Sequence, residues 1–162
     1  MRSYAENRTL VVDDGEMDYI VFGRGDRPLV MLPGLGDGLS TVRGKALPFA
    51  LAYRTYTREY RVYLFSRKTR LEENTSIRDM ARAQGAAMAA LGLSHAAVLG
   101  ISQGGMVAQH LAAGWPELVD RLVLAVTSAR QNPVLQRVVG RWMELARQGR
   151  YRELVIDTAE HS

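Results

Sequence analysis

Short apolar runs alternate with longer amphipathic stretches along the chain. The first two runs, Thr9–Val12 and Tyr19–Phe22, flank Asp13-Asp14-Gly15-Glu16, a polar segment typical of a hairpin turn. Leu29–Leu32 is apolar throughout, as expected for a strand that helices cover on both faces. Three further strands are predicted, at Arg61–Phe65, Ala96–Ile101 and Arg121–Val126.

Helical stretches separate most of these strands. A helix is expected within Thr41–Tyr60, with Pro48 near its start or at a kink. Ser76-Ile-Arg-Asp79 has the pattern of a capping box, and the helix that it opens is expected to end near Leu91, before Gly92. Two more helical stretches are predicted, Gln103–Ala113 and Pro133–Glu160, the second interrupted at Gly149. This alternation of strands and helices favours an α/β fold with a mostly parallel sheet.

The composition is that of a folded protein with one domain of ordinary size. The chain has 162 residues, of which 47% are apolar and 23% charged, so it can bury a sizeable core. It has no cysteine, which excludes disulfides, cysteine-ligated zinc and a thiol nucleophile. Its three histidines are too scattered for a local metal motif, and no metal is expected. Because we find neither a signal-peptide pattern nor a long apolar run, we expect a cytoplasmic protein without membrane contact.

A net charge of +4 raises the question of nucleic-acid binding. Nineteen of the 21 basic residues are arginines, and they are dispersed along the whole chain. The tightest basic cluster, Ser66–Arg70, is followed one residue later by Glu72 and Glu73 and contains no aromatic residues on which bases could stack. A solvated surface is therefore the favoured interpretation of this cluster, and no nucleic-acid partner is expected.

The segment Gly100-Ile101-Ser102-Gln103-Gly104, followed by Gly105, carries the clearest chemical signal. It matches the pattern G-x-S-x-G and lies where a predicted strand turns directly into a helix. Such a turn exposes the serine hydroxyl, and the small residues on either side let strand and helix approach closely. Ser102 is thus the candidate nucleophile, and the backbone N–H of Gln103 is a candidate oxyanion donor. The alternative is that Ser102 only caps the helix.

A glycine-rich turn, Leu32–Gly38, follows an earlier strand. In serine hydrolases with such an elbow, a turn at this place supplies the second oxyanion donor, and by position the N–H of Leu35 is the candidate. A flexible turn without chemistry is one alternative. Another is a dinucleotide-binding turn, with Arg67 placed to hold the 2′-phosphate of NADP, although Leu39 occupies the position of the third glycine.

Together these features resemble the N-terminal portion of an α/β-hydrolase-fold protein of the lipase/esterase type, over about residues 9–130. The stretch Gly114–Leu124 is similar to the family's connection after the nucleophile. Departures are Pro33 and Ser66, where many members have histidine and aspartate. The resemblance implies a three-layer α/β/α sandwich with a core over residues 1–130 and the start of a helical cap over residues 131–162. It also implies an esterase-like serine hydrolase that acts on a carboxylic ester or related acyl substrate and needs no cofactor.

The resemblance further implies a catalytic acid and a histidine after later strands. The sequence stops soon after its sixth strand, so we expect a truncated chain that lacks the C-terminal strands and both residues. His95 and His110 are expected away from Ser102, and a catalytic pair of Asp157 and His161 is the alternative considered.

An open edge is also expected at the last predicted strand, with self-association or a complementing chain along it. Because the expected catalytic histidine is missing, a non-catalytic fragment or interaction module with this fold is the alternative function, with partner binding along this edge.

Overall fold

The computed structural model describes residues 4–13, 15–38 and 40–160. The strands in these ranges are β1 (Ala5–Val12), β2 (Gly15–Phe22), β3 (Arg27–Leu32), β4 (Tyr60–Lys68), β5 (Ala96–Ile101) and β6 (Val119–Ala125). The α-helices are α1 (Ala46–Ala52), α2 (Ile77–Ala90), α3 (Gln103–Gly114), α4 (Pro133–Arg147) and α5 (Tyr151–Glu160). Short 3₁₀ turns lie at Leu35–Gly38, Arg54–Tyr56 and Pro116–Leu118. The chain divides into two compact units, Met1–Ser128 and Ala129–Ser162.

The strands of the first unit form one sheet in the order β1-β2-β4-β3-β5-β6. The β1–β2 hairpin is antiparallel and β2 pairs antiparallel with β4, whereas β4, β3, β5 and β6 pair in parallel. The mostly parallel sheet predicted from the sequence is thus confirmed. Because parallel strands end at the same edge, the segments that follow β3, β4 and β5 converge there, and such an edge is where open α/β sheets place their sites.

Helices cover both faces of this sheet, as the three-layer prediction requires. Successive residues of a strand point to opposite faces, so Val30 and Met31 of β3 enter different clusters. On one face, Val30 packs in a cluster that includes Ala87 of α2 and Leu111 of α3. On the other face, Met31 packs in a cluster that includes Ala50 of α1. The sheet is therefore buried on both sides, which explains its long apolar runs.

The predicted start and end of α2 and the position of Pro48 in α1 are found in the structure. Ser76 caps α2: its hydroxyl accepts from the Asp79 N–H at 3.1 Å, and Asp79 accepts from the Ser76 N–H at 3.1 Å. Gly92 follows the C-terminal end of α2 with a φ of 65°, a conformation that glycine adopts at little cost. The helix expected within 41–60 is α1, which is short and has Pro48 in its first turn, where proline is tolerated.

The second unit is a pair of helices separated at Gly149, as expected. Gly149 has a φ of 70° between α4 and α5. The carboxylate of Asp157 on α5, only 5% exposed, accepts from the Trp142 indole N–H at 2.9 Å and pairs with Arg141 at 2.7 Å. A buried acidic group thus joins the two helices. Within the described residues, no helix is both long and apolar enough to cross a membrane.

Candidate active site

Ser102 occupies a sharp turn between β5 and α3. Its backbone has φ 53° and ψ −120°, a sparsely populated combination for a residue with a side chain. The Ser102 N–H donates to the Ala125 carbonyl of β6 at 2.9 Å, and its carbonyl accepts from the Gly105 N–H at 2.9 Å and from the Thr127 hydroxyl at 2.7 Å. These bonds hold the turn in its strained form.

The Ser102 side chain does not serve as a helix cap. It is exposed, and it makes no capping hydrogen bond to α3, although it stands in the capping position. The capping alternative predicts such a bond, because a serine in that role accepts from an N–H of the first helical turn. Ser102 therefore lies exposed at the carboxyl edge of the sheet, without the bond that the capping alternative requires.

The glycines of the elbow permit a contact that other residues would prevent. A Cβ on Gly100 would lie 2.6 Å from the Cα of Gly105, and one on Gly104 would lie 2.1 Å from the Leu32 carbonyl oxygen. A Cβ on Gly105 would lie 2.6 Å from the Thr127 side chain. Strand β5, helix α3 and the end of β3 therefore meet backbone to backbone, which fixes the elbow beside the glycine-rich turn.

The glycine-rich turn lies against Ser102. A Cβ on Gly34 would be 3.2 Å from the Ser102 Cβ and 3.7 Å from its hydroxyl oxygen. Leu35, whose side chain is 58% exposed, begins the 3₁₀ turn Leu35–Gly38, and Gln103 begins α3. The N–H groups at the start of a helical segment have no acceptor within it. The fold therefore brings the candidate nucleophile together with the segments that carry both candidate oxyanion donors.

The expectation of a solvated basic cluster over residues 66–70 is wrong at its first two positions. Ser66 is 1% exposed: its hydroxyl donates to Asp37 at 2.7 Å and accepts from the Val42 N–H at 2.9 Å. Arg67 is half-buried, and its backbone N–H donates to Asp37 at 2.8 Å. The reason is that β4 continues through Lys68 and carries these residues along the turn that follows β3.

The Arg67 guanidinium joins the two parts of the site. It donates to the carbonyl oxygens of Gly34 at 3.0 Å and Leu35 at 3.3 Å, and to the side-chain oxygen of Gln103. Burial lowers the pKa of Arg67, and the nearby Asp37 opposes this effect. These contacts remove the support for the dinucleotide alternative, because the guanidinium assigned to a 2′-phosphate is directed into the turn itself.

The structure does not bring a described histidine to Ser102. His95 is exposed in the turn that precedes β5, at the opposite end of that strand, as expected. His110 is exposed on α3, about 12 Å along the helix axis from Ser102. His161, the partner considered for Asp157, lies outside the described residues. In the ranges that the structure describes, no three histidine, aspartate or glutamate side chains gather as a metal site would require.

The chain matches known proteins over most of its length. Residues 27–160 match the sequence model of the alpha/beta hydrolase fold family. A segment of 58 residues is 47% identical to homoserine O-acetyltransferase from Thermus thermophilus, covering 36% of this chain and 15% of that enzyme.

Solved structures share the fold. A hydrolase from Pseudomonas aeruginosa PA01 has a TM-score of 0.69 at 25% identity, over 86% of this chain and 52% of that one. The epoxide hydrolase CorEH has a TM-score of 0.63 at 19% identity, over 85% and 50% of the two chains. This chain spans about half the length of these structures. The family match, which covers far more than half of the sequence, places the chain in the alpha/beta hydrolase fold family.

Proposed function

We propose that this chain carries the nucleophile and the oxyanion donors of a serine enzyme that acts on a carboxylic ester or a related acyl substrate. The observation that carries the proposal is the backbone of Ser102, held at φ 53° with its side chain exposed and uncapped. Strain of this kind persists only where surrounding structure enforces it, and it is concentrated at functional sites. The glycine-rich turn beside it supports acyl chemistry, since a tetrahedral intermediate needs paired N–H donors.

In the proposed reaction, the Ser102 hydroxyl oxygen attacks the carbonyl carbon of the substrate. The carbonyl oxygen becomes an oxyanion and accepts from the N–H groups of Leu35 and Gln103. The bond to the leaving group then breaks, the leaving group takes a proton, and an acyl-serine remains for water or another acceptor. A general base must take the serine proton, and because neither described histidine lies at this edge, we assign that role to a residue that the structure does not describe.

The local identity to an acetyltransferase supports an acyl substrate, whereas the epoxide hydrolase likeness, at 19% identity, bears on the fold alone. The enzyme is a hydrolase if water takes the acyl group from the serine, and a transferase if a second substrate takes it. Both are included in the proposed function, since the first half of the reaction is the same.

The test is labelling of the folded chain with a fluorophosphonate, read by intact mass. The serine oxygen forms a bond to phosphorus, fluoride leaves, and the proton passes to a base. Because the proposal assigns the base to a residue outside the described ranges, the reaction is run with and without millimolar imidazole as an external base. We expect one adduct in the wild type, none in Ser102→Ala, and an unchanged adduct in Ser94→Ala, an exposed serine of ordinary backbone conformation. A folded chain that stays unlabelled under both conditions contradicts the proposal.

A second candidate function is that of an interaction module that uses the outer edge of β6. Among the described residues, no strand pairs with that edge, and Leu122, Val123 and Leu124 are exposed, Val123 by 55%. An apolar strand with a free edge pairs readily with another strand. The proposed occupant is β6 of a second copy. Light scattering should then give a dimer that Val123→Lys converts to a monomer, and a wild-type monomer at high concentration contradicts this candidate.

A further inference from the structure

Arg67 is the described side chain that contacts both halves of the candidate site without belonging to either. One planar guanidinium donates to Gly34 and Leu35 in the glycine-rich turn and to Gln103 at the start of α3. A group that spans two segments in this way fixes the distance between them. The two segments are those that carry the proposed oxyanion donors.

The direction of one donor follows from the bond to Gly34. The Gly34 carbonyl and the Leu35 N–H belong to the same peptide unit, which is planar and trans, so they point to opposite sides. Holding the carbonyl towards Arg67 at 3.0 Å therefore turns the Leu35 N–H away from the guanidinium. Without that bond, the Gly34 carbonyl keeps the longer bond from the Asp37 N–H at 3.3 Å, and the glycine at position 34 allows the peptide unit to rotate further.

Arg67 is itself held by the strand from which it projects. Its backbone N–H and the Ser66 hydroxyl both donate to the buried carboxylate of Asp37, at 2.8 and 2.7 Å. Asp37 belongs to the same 3₁₀ turn as Leu35, and β4 pairs in parallel with β3, which leads into that turn. The end of β4 from which the Arg67 side chain projects is therefore bonded to the same turn at a second point.

We propose that Arg67 is a positioning residue of the oxyanion hole, holding the Leu35 and Gln103 N–H groups in the arrangement that receives the substrate oxygen. This inference rests on the proposed function. Arginine is required because its rigid fork meets acceptors in two directions, whereas lysine presents one point charge on a flexible stem. The positive charge alone is not sufficient.

The first test follows the turn itself and needs no activity. The Asp37 N–H donates to the Gly34 carbonyl at 3.3 Å, and its hydrogen exchange, measured by NMR, reports on the turn. The Ser102 N–H, bonded to Ala125 at 2.9 Å, reports on the elbow. In Arg67→Met and Arg67→Lys, exchange should become about tenfold faster at Asp37 and stay unchanged at Ser102. Arg70→Met, at an exposed arginine three residues on, should change neither rate.

The second test measures the rate of Ser102 phosphonylation over a range of fluorophosphonate concentrations. Both Arg67 variants should lower the maximal rate about tenfold or more, because a misplaced N–H donor stabilises the charge that develops on the phosphonyl oxygen less well. The initial binding of the reagent should not be affected. The half-saturating concentration should stay the same, and Arg70→Met should react like the wild type.

Three results overturn the inference. Arg67→Lys reacting at the wild-type rate shows that charge alone suffices. Equal acceleration of exchange at Asp37 and Ser102 shows a general loosening of the fold. Unchanged exchange at Asp37 shows that Arg67 does not hold the turn. If the wild type forms no adduct, the proposed function fails, whereas the exchange experiment still decides whether Arg67 holds the turn.

Discussion

Replacing Ser102 by glycine should make the protein more stable, although it removes the proposed nucleophile. The residue has φ 53° and ψ −120°, a backbone conformation that glycine adopts with little strain and other residues do not. Strain of this kind costs about 1–3 kcal/mol. Ser102→Ala keeps the strained Cβ, so it isolates the loss of the hydroxyl, whereas Ser102→Gly also removes the strain.

The magnitude follows from two opposing terms. Relief of strain favours glycine by about 1–3 kcal/mol, and the greater freedom of glycine in the unfolded chain opposes it by about 0.4–1 kcal/mol. Ser102→Gly should therefore exceed Ser102→Ala in stability by about 1 kcal/mol. In a chain of 162 residues this corresponds to a rise of about 2–4 °C in the unfolding temperature.

The assay is thermal unfolding of the two variants, with the same pair made at Ser94 as the control. Ser94 is exposed and has no positive φ, so alanine should there be more stable than glycine by about 0.4–1 kcal/mol. The sign of the difference should thus reverse between the two positions. If glycine is less stable than alanine at position 102 as well, the elbow stores no strain and the reasoning is refuted.

Three further predictions concern the scaffold. Gly104→Ala would bring a Cβ within 2.1 Å of the last carbonyl oxygen of β3, so it should lower the free energy of unfolding, measured by chemical denaturation, by about 3 kcal/mol. Gly140→Ala, which has open space around it in α4, should instead raise it by up to about 1 kcal/mol. Equal effects of the two substitutions would contradict the close packing at the elbow. Hydrogen bonds from Ser76 hold the pKa of Asp79 below its usual range. The cap therefore stabilises the fold above about pH 4 and loses this effect as the pH falls through the lower pKa of the folded state. Asp79→Asn should lower the unfolding temperature at neutral pH, with the gap to the wild type closing in acid; a constant gap would count against the cap. Asp157→Ala should leave the Trp142 indole N–H of α4 without its acceptor and lower the stability of the helix pair by about 1–3 kcal/mol. Amide hydrogen exchange should therefore become faster across α4 and α5. Unchanged exchange there would argue against the buried carboxylate as the link between the two helices.

The sequence predicts the strands and the elbow because both depend on local patterns. Continuous apolar runs mark strands buried on two faces, and Gly100–Gly105 places small residues where two backbones meet. The strand ends are less well predicted. β4 runs on to Lys68 because its polar residues find partners in the turn after β3 rather than in solvent.

The contacts of Arg67 could not be predicted in this way. Its acceptors lie 32 to 36 residues away and two of them are backbone carbonyls, which have no sequence signature. A run of basic residues next to glutamates has the composition of a solvated surface whether or not one member is half-buried. The buried Asp37 was missed for the same reason, since a carboxylate in a glycine-rich turn is usually exposed.

The most direct measurement of the central claim is a crystal structure of the chain after reaction with a fluorophosphonate. We expect phosphorus bonded to the Ser102 oxygen and a phosphonyl oxygen within about 2.7–3.1 Å of the backbone nitrogens of both Leu35 and Gln103. A phosphonyl oxygen turned away from both nitrogens, or an adduct on any other residue, would contradict it.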